Sequence, residues 1–146
     1  MNITYNDRKK NLPVEQLYHL FFSAGWAGPE RDPAAEKHKY FNVPFKNSTL
    51  VVSAWDNKRL AGVVRVLSDR FGRAVIYDLV VDPEYQNKGI GTELVKRCIA
   101  HYPNCEWLVG TEAHIAGYYE KLGFKINEGV YLTIPSIYQT RKQDKP

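Results

Sequence analysis

The strongest constraint on the fold is a change of hydrophobic period in the middle of the chain. Ala74–Val81 is a Val- and Ile-rich run typical of a buried strand. After a loop that contains Gly89-Ile90-Gly91, apolar residues recur at helical spacing as far as Ile99. Pro103 ends that pattern, and Glu106–Val109 has the character of another strand. A strand-helix-strand unit of this length predicts two parallel strands joined by a right-handed crossover.

Shorter elements are predicted on both sides of this unit. Together they indicate a mixed, mostly antiparallel sheet of six to seven strands, with about four helices on its faces. The further strands are Ile3–Tyr5, Thr49–Trp55, Leu60–Leu67, Phe124–Ile126 and Tyr131–Ile134, and the further helices are a segment from Pro13 to Gly25, Ala34–Phe41 and Ala113–Leu122.

Length and composition narrow the class of protein. The 146 residues are enough for one domain, which we place at residues 1–138, followed by a polar tail at 139–146. No apolar run is long enough for a membrane span, and the N-terminus lacks the apolar core of a secretory signal. With only Cys98 and Cys105, neither a zinc site nor a disulfide framework is expected. These features predict a cytoplasmic protein without a metal.

The charge pattern bears on partners. Twenty Lys and Arg against 16 Asp and Glu leave a net charge of +4, and the basic residues are scattered along the chain. A nucleic-acid-binding domain would need a clustered basic face. We therefore expect no nucleic-acid and no membrane partner.

The loop between the central strand and helix carries the clearest chemical signal. Asp82–Gly91 leads from an apolar strand into a helix with two glycines at its start. Free N–H groups and the helix dipole at such a terminus favour an anion, above all a phosphate. The loop is not a P-loop, and Leu94 stands where a dinucleotide fingerprint needs its third glycine. A purely structural turn is the alternative.

Two segments resemble the GNAT superfamily of acyl-CoA-dependent N-acetyltransferases. Gln86-Asn87-Lys88-Gly89-Ile90-Gly91 fits the Q/R-x-x-G-x-G/A pyrophosphate loop, and Tyr118–Phe124 is similar to the family segment FYEKLGF. The resemblance covers about residues 49–127 and implies a GNAT fold whose sheet is splayed at the middle. Gly25-Trp26, Leu60-Ala61-Gly62 and Asp78–Val81 resemble small bacterial and plant arylalkylamine (serotonin-type) members.

The resemblance implies acetyl-CoA as co-substrate. Its pantetheine arm would pair with the backbone of Leu79, Val80 and Val81, where an N–H near Leu79 would polarise the thioester carbonyl. The alternative for these three residues is a role in the core only, and both can hold because the contacts are main-chain. The pyrophosphate would lie on the loop residues Gln86, Asn87, Lys88, Gly89, Ile90, Gly91 and Thr92.

Tyr119 matches the family tyrosine that protonates the departing CoA thiolate. A phenol and a thiol have reference pKa values near 10 and about 8.5, so this proton transfer is feasible. The alternative is a tyrosine that only packs, as expected for Tyr118. Many members carry Asn seven residues earlier to contact CoA, whereas this chain has Glu112.

The general base and the acceptor site are less defined. Strand alternation places Val75 and Tyr77 on one face and Asp78 on the opposite face. The resemblance implies that members with a strand-borne base carry Glu or His at the positions of Val75 and Tyr77. A water chain or His114 remains open as the base. Trp26 and Tyr77 are the predicted acceptor-binding residues.

The resulting hypothesis is direct transfer of acetyl from acetyl-CoA to a primary amine in a ternary complex. The acceptor would be a small aromatic amine or a polyamine. The alternatives are a catalytically silent CoA-binding module of the same fold, or an enzyme that acts on a protein amine. Family members are often dimers, so the resemblance also admits a homodimer.

Overall fold

Five strands form one mixed sheet in the part of the chain that the computed structural model describes, residues 1–26 and 39–136. Their order across the sheet is their order along the chain, and each neighbouring pair is antiparallel except the parallel pair β4–β5. The strands are β1 (Ile3–Asn6), β2 (Leu50–Asp56), β3 (Arg59–Ser68), β4 (Arg73–Val81) and β5 (Glu106–Val109).

Helices cover both faces of this sheet. On one face, α3 buries its apolar stripe against the central strands through Leu94, Val95 and Cys98. On the other face, α1 contributes Leu17 and Leu20 to a second core that also includes residues from β2, β3 and β4. The described residues form four α-helices, α1 (Val14–Ser23), α2 (Val43–Lys46), α3 (Ile90–His101) and α4 (Ala116–Glu120), with short 3-10 turns at Pro83–Tyr85 and Ala113–Ile115.

The parallel pair is short, and this opens the middle of the sheet. β5 pairs only with the first half of β4, from Arg73↔Glu106 to Ile76↔Val109. The second half of β4 stays paired with β3 as far as Gly62↔Val81. From Tyr77 to Val81, one edge of β4 therefore has no strand partner among the described residues. The predicted strand-helix-strand unit with its parallel pair is confirmed.

A β-bulge in β4 changes which residues share a face. The register moves from Arg65↔Asp78 to Val66↔Ile76, which leaves Tyr77 as the extra residue. Ile76 therefore packs in the core beneath α3, whereas Val80 packs in the core beneath α1. The strict alternation assumed from the sequence is wrong at this point. Asp78 lies on the α1 face, the same face as Val75.

Two local predictions differ from the structure, and a third lies mostly outside the described residues. Phe124–Ile126 and Tyr131–Ile134 are not strands, so the described sheet has five strands rather than six to seven. Ala113–Leu122 is a 3-10 turn followed by the short helix α4. Residues 34–38 of the predicted helix Ala34–Phe41 lie outside the described part of the chain. The helix α2, which follows, was not predicted from the sequence. These errors all fall where local spacing is too short to distinguish helix, turn and strand.

No helix in residues 1–26 or 39–136 has the length and apolarity needed to cross a bilayer.

Candidate active site

Buried Asp82 organises the start of the loop that follows β4. Its side chain accepts a hydrogen bond from the Glu84 backbone N–H at 2.9 Å, which caps the 3-10 turn, and one from Arg59 Nη2 at 3.0 Å. Arg59 also pairs with Glu84 Oε2 at 2.9 Å and lies over the ring of Tyr85. Tyr85 in turn donates to Asp56 Oδ2 at 2.7 Å. This network ties the loop to the β2–β3 hairpin.

The second half of the loop turns sharply into α3. Gln86 Nε2 donates to the carbonyl of Val81 at 3.0 Å and so closes the loop on the end of β4. Asn87 and Gly89 both have positive φ, 62° and 83°. No atom of the described residues lies within 4 Å of a Cβ placed on Gly89, so conformation rather than space favours glycine there.

The start of α3 presents backbone donors beside a tyrosine hydroxyl. The first N–H groups of a helix have no intrahelical acceptor, and α3 begins at Ile90. The hydroxyl of Tyr118 lies 3.3 Å from Thr92 Oγ1, and a Cβ on Gly91 would approach that hydroxyl to 3.0 Å. Glycine at this position therefore lets α4 close over the first turn of α3. Lys88 is exposed, with its Nζ 5.8 Å from the centre of the Tyr85 ring.

The free edge of β4 carries backbone donors toward the opening in the sheet. The N–H of Asp82 donates to the Ala61 carbonyl on the β3 side. Because successive residues of a strand direct their N–H groups to opposite edges, those of Leu79 and Val81 point away from β3. Val80 stays buried beneath α1. The main-chain groups of Leu79 and Val81 thus face the gap between β4 and β5, whereas those of Val80, which pairs with Val63, face β3.

Tyr119 is buried at the inner side of α4. Only 8% of the residue is exposed, and its ring packs edge-to-face on Tyr118 and Phe124 at centroid distances of 5.2 and 5.6 Å. Burial, with a smaller contribution from Tyr118, raises the pKa of Tyr119 to about 12. Its phenol therefore keeps its proton at neutral pH.

An aromatic cavity lies on the α1 face of the sheet. Its volume is about 500 Å³. Asp78 is the one carboxylate among its described lining residues, placed there by the bulge in β4. The others are aromatic or aliphatic: Phe21, Tyr40, Phe41, Val43, Pro44 and Phe45.

Arg65 holds Asp78 at the wall of this cavity. Its Nε donates to Asp78 Oδ2, and both side chains are largely shielded from solvent. The guanidinium also lies over two rings, 5.9 Å from the centre of Phe45 and 5.3 Å from that of Tyr77. Such contacts keep the arginine in place and, through it, the carboxylate. Sequence analysis identified no role for Arg65, and it placed Asp78 on the wrong face because a bulge leaves no local signal.

The other predicted site residues lie apart from the cavity. Trp26 contacts Phe21 edge-to-face but is 60% exposed and is not among the described lining residues. Tyr77 is half exposed, is not among the described lining residues, and contacts Arg65, the partner of Asp78. His114 is an exposed side chain paired with Glu112 at 3.3 Å, on the surface turn that precedes α4. In the described residues, no cluster of three metal-ligating side chains occurs.

Comparison with known proteins identifies the family. The model of the acetyltransferase (GNAT) family matches residues 12–124. The chain belongs to the acetyltransferase (GNAT) family. It is an N-acetyltransferase, and members of this family generally use acetyl-CoA as co-substrate. The predicted GNAT fold is confirmed, with five described strands.

Individual relatives agree with this assignment. The uncharacterized N-acetyltransferase ycf52 of Pyropia yezoensis is 29% identical over 127 residues, which are 82% of this chain and 69% of the relative. A soybean (Glycine max) protein named histone acetyltransferase TAP1 is 32% identical over 137 residues, covering 82% of this chain and 55% of that protein. A GNAT family acetyltransferase structure from Streptococcus pneumoniae TIGR4 superposes with a TM-score of 0.72 at 23% identity, covering 90% and 98% of the two chains.

The described residues fit acetyl-CoA as a co-substrate. An anion has backbone donors and the helix dipole at the start of α3, and an extended arm has free main-chain groups on β4. The two features are adjacent along the chain, because Gln86 joins the end of β4 to the loop. One continuous surface thus offers both kinds of contact that a pyrophosphate and a pantetheine arm require.

Proposed function

We propose that this enzyme transfers acetyl from acetyl-CoA to the primary amine of a small aromatic acceptor by direct attack in a ternary complex. The observation that carries the proposal is Asp78, a carboxylate in the wall of a cavity whose other described lining residues are apolar or aromatic. The cavity borders the strand whose free edge would hold the thioester. This acceptor class agrees with the resemblance to arylalkylamine-type members.

The cavity is suited to an acceptor that carries a cationic ammonium group on an apolar, aromatic remainder. Rings of Phe21, Phe41 and Phe45 offer apolar and edge-to-face contacts to an aromatic acceptor. Asp78 would accept a hydrogen bond from the ammonium and, directly or through a water, take up its proton before attack. A polyamine has no aromatic surface to pack against these rings, so we favour the aromatic amine as acceptor.

Two further groups would act on the thioester. The N–H of Leu79 would donate to the carbonyl oxygen as charge develops on it. Tyr119, whose buried phenol is protonated at neutral pH, would donate its proton to the departing sulfur. The amine nitrogen then forms the new bond to the acetyl carbon as the carbon–sulfur bond breaks. No residue needs to carry the acetyl group.

The first experiment is calorimetric titration of the protein with acetyl-CoA, with desulfo-CoA and ATP as controls. We expect saturable binding of acetyl-CoA and much weaker binding of ATP. Failure to bind acetyl-CoA would overturn the proposal at its first step. Binding without thiol release in the presence of any amine would instead favour a silent CoA-binding module.

The second experiment tests Asp78 with a panel of arylalkylamines, polyamines and histone peptides. The peptides are included because one relative is named a histone acetyltransferase. Removing a general base typically costs 10²-fold or more, so Asp78→Asn should lower kcat/KM for the preferred amine by about 10²-fold. Acetyl-CoA affinity should not change. Asp7→Asn, which removes an exposed carboxylate paired with His101, is the matched control.

The outcome separates the acceptor classes. Preference for an arylalkylamine, with loss in Asp78→Asn alone, supports the proposal. Preference for a histone peptide would favour action on a protein amine. Equal loss in both variants would show that the effect is not specific to Asp78. A cytoplasmic location and the lack of nucleic-acid and membrane partners remain predictions.

A further inference from the structure

In the described part of the chain, one hydrogen bond joins the helix of the proposed acid to the helix of the proposed co-substrate site. The hydroxyl of Tyr118 on α4 lies 3.3 Å from Thr92 Oγ1 in the first turn of α3, and either hydroxyl can donate. Among the described residues, every other hydrogen bond of positions 112–124 stays within that segment. The Tyr118–Thr92 contact is therefore the polar link through which α3 can orient α4.

Apolar packing also holds α4, but this packing is non-directional. Leu122 and Phe124, which follow the helix, pack against the core beneath α3, and Tyr119 is buried against Phe124. Burial of apolar surface fixes how closely the helix approaches the sheet more than how it is rotated about its axis. The helix has only five residues, so its own backbone bonds give it little rigidity. A defined rotation of α4 needs a directional contact.

This link lies directly beside the proposed acid. The rings of Tyr118 and Tyr119 meet edge-to-face, with centroids 5.2 Å apart and an interplanar angle of 83°. A movement of the Tyr118 ring therefore shifts the surface on which the Tyr119 ring rests. A general acid must come within about 3 Å of the atom that it protonates, and small misplacements lower the rate steeply. The Tyr118 hydroxyl is thus placed to act on the reaction through its neighbour.

The first turn of α3 leaves room for this hydroxyl. A Cβ on Gly91 would lie 3.0 Å from the Tyr118 hydroxyl oxygen, which is tighter than an ordinary contact. Glycine keeps that space open, and Thr92 supplies the partner. At 3.3 Å the bond is long for two hydroxyls, and hydrogen bonds at enzyme sites often shorten when a substrate binds.

We propose that Tyr118 is a positioning residue, whose hydrogen bond to Thr92 fixes the rotation of α4 and so holds Tyr119 within reach of the departing sulfur. The inference rests on the proposed function, in which Tyr119 is the acid. It adds a connection between the turn where the pyrophosphate would lie and the group that would protonate the sulfur. The expected signature is a loss of turnover without a loss of binding.

Tyr118→Phe keeps the ring and removes the hydroxyl. It should lower kcat by about five- to tenfold, the scale of one neutral hydrogen bond, and leave the calorimetric Kd for acetyl-CoA unchanged. Thr92→Val removes the other hydroxyl, so the losses of kcat in the two variants should not add when they are combined. Tyr102→Phe, which removes a hydroxyl at the opposite end of α3, is the matched control and should keep the wild-type kcat.

A second double-mutant cycle distinguishes positioning from a general structural role. In the Tyr119→Phe background, Tyr118→Phe should cause no further loss of kcat, because the group that it positions is already absent. An equal loss in both backgrounds would show that the hydroxyl acts on something other than Tyr119, and it would overturn the inference.

Amide hydrogen exchange of the free protein gives a readout that does not depend on turnover. The N–H groups of Lys121 and Leu122 donate to carbonyls of α4, so their exchange reports on that helix. Their exchange should be about fivefold faster in Tyr118→Phe than in the wild type, because the bond that holds the helix is lost. Equal exchange rates in the two proteins would overturn the inference.

The remaining outcomes separate this inference from the proposed function. Wild-type kcat in Tyr118→Phe, together with a loss in Tyr119→Phe, overturns the inference and leaves the proposed function standing. A weaker Kd for acetyl-CoA with an unchanged kcat also overturns it, because Tyr118 would then bind the co-substrate directly. Wild-type kcat in Tyr119→Phe refutes the proposed acid and this inference with it.

Discussion

At the scale of single residues, two tyrosines next to each other in sequence occupy different environments. Tyr119 is buried between Tyr118 and Phe124, whereas the Tyr118 hydroxyl reaches Thr92 at the first turn of α3. This contrast gives them different roles to test. Tyr119 is placed to keep a proton, and Tyr118 is placed against the start of α3, where the co-substrate is proposed to bind.

Replacing Tyr119 should affect chemistry and not binding. We expect Tyr119→Phe to lower kcat by about 10²-fold, the usual scale of general acid catalysis, with the calorimetric Kd for acetyl-CoA unchanged. Tyr102→Phe, at the opposite end of α3, is the control. A variant that keeps the wild-type kcat would exclude Tyr119 as the acid.

The burial of Tyr119 also predicts how the difference in rate between the wild type and Tyr119→Phe depends on pH. The pKa of Tyr119 is raised to about 12, so the phenol stays protonated from about pH 7 to about pH 10, the pH at which an unshifted phenol would be half ionised. The ratio of wild-type to Tyr119→Phe rates should therefore be constant over this range. A ratio that falls steadily as the pH rises would show that the acid loses its proton earlier than burial predicts.

At the scale of elements, the β3–β4 hairpin depends on one ionised turn residue. Asp69 Oδ1 accepts hydrogen bonds from the backbone N–H groups of Phe71, Gly72 and Arg73. These bonds lower the pKa of Asp69, first through Phe71 and then through Gly72 and Arg73. The hairpin positions β4 and its bulge, so this turn supports the site from a distance.

Acid should weaken this turn. The folded-state pKa lies below the unfolded one, so the stabilisation is complete above the unfolded pKa, about 4, and is lost as the pH falls through the folded value. Asp69→Ala should lower the Tm at neutral pH and lose less stability than the wild type between about pH 4 and about pH 2. Parallel pH–Tm curves would contradict this.

The packing of α3 on the sheet depends on a strand glycine. A Cβ on Gly62 would lie 3.3 Å from Leu94 Cδ1, 3.3 Å from the Val80 carbonyl oxygen and 3.4 Å from Ile90 Cγ2. Because one of these neighbours is backbone, it cannot move aside cheaply. Gly62→Ala should lower the free energy of unfolding by about 1–3 kcal/mol in urea denaturation. Gly72→Ala is the control, because the nearest described atom to a Cβ there is Asp69 Oδ2 at 3.6 Å.

At the scale of the whole molecule, the proposed co-substrate site joins parts from both halves of the central unit. β4, the loop and α3 each contribute, so the site exists only in the folded chain. A ligand that binds the folded state alone raises stability by mass action. Acetyl-CoA at 100 times its Kd should therefore stabilise the protein by about 2.7 kcal/mol in chemical denaturation. ATP at the same concentration should stabilise it much less.

Sequence alone determined the central unit, the family resemblance and the phosphate-type loop. These rest on local features: the change of period around residue 82, the glycines before α3, and the motif from Gln86 to Gly91. Such features depend on neighbouring residues alone and not on the rest of the chain. The two hairpin strands before the unit and the helix from Pro13 were predictable for the same reason.

Only the tertiary structure decided which side chains meet. The bulge at Tyr77 arises from pairing between β3 and β4. It places Asp78 on the α1 face, the same face as Val75, where strict alternation would not place it. The ion pair with Arg65 spans 13 positions in the chain. The two terminal segments have the composition of strands, yet they lie outside the sheet. A strand needs a partner edge, and the availability of that edge is a property of the assembled fold rather than of the local sequence.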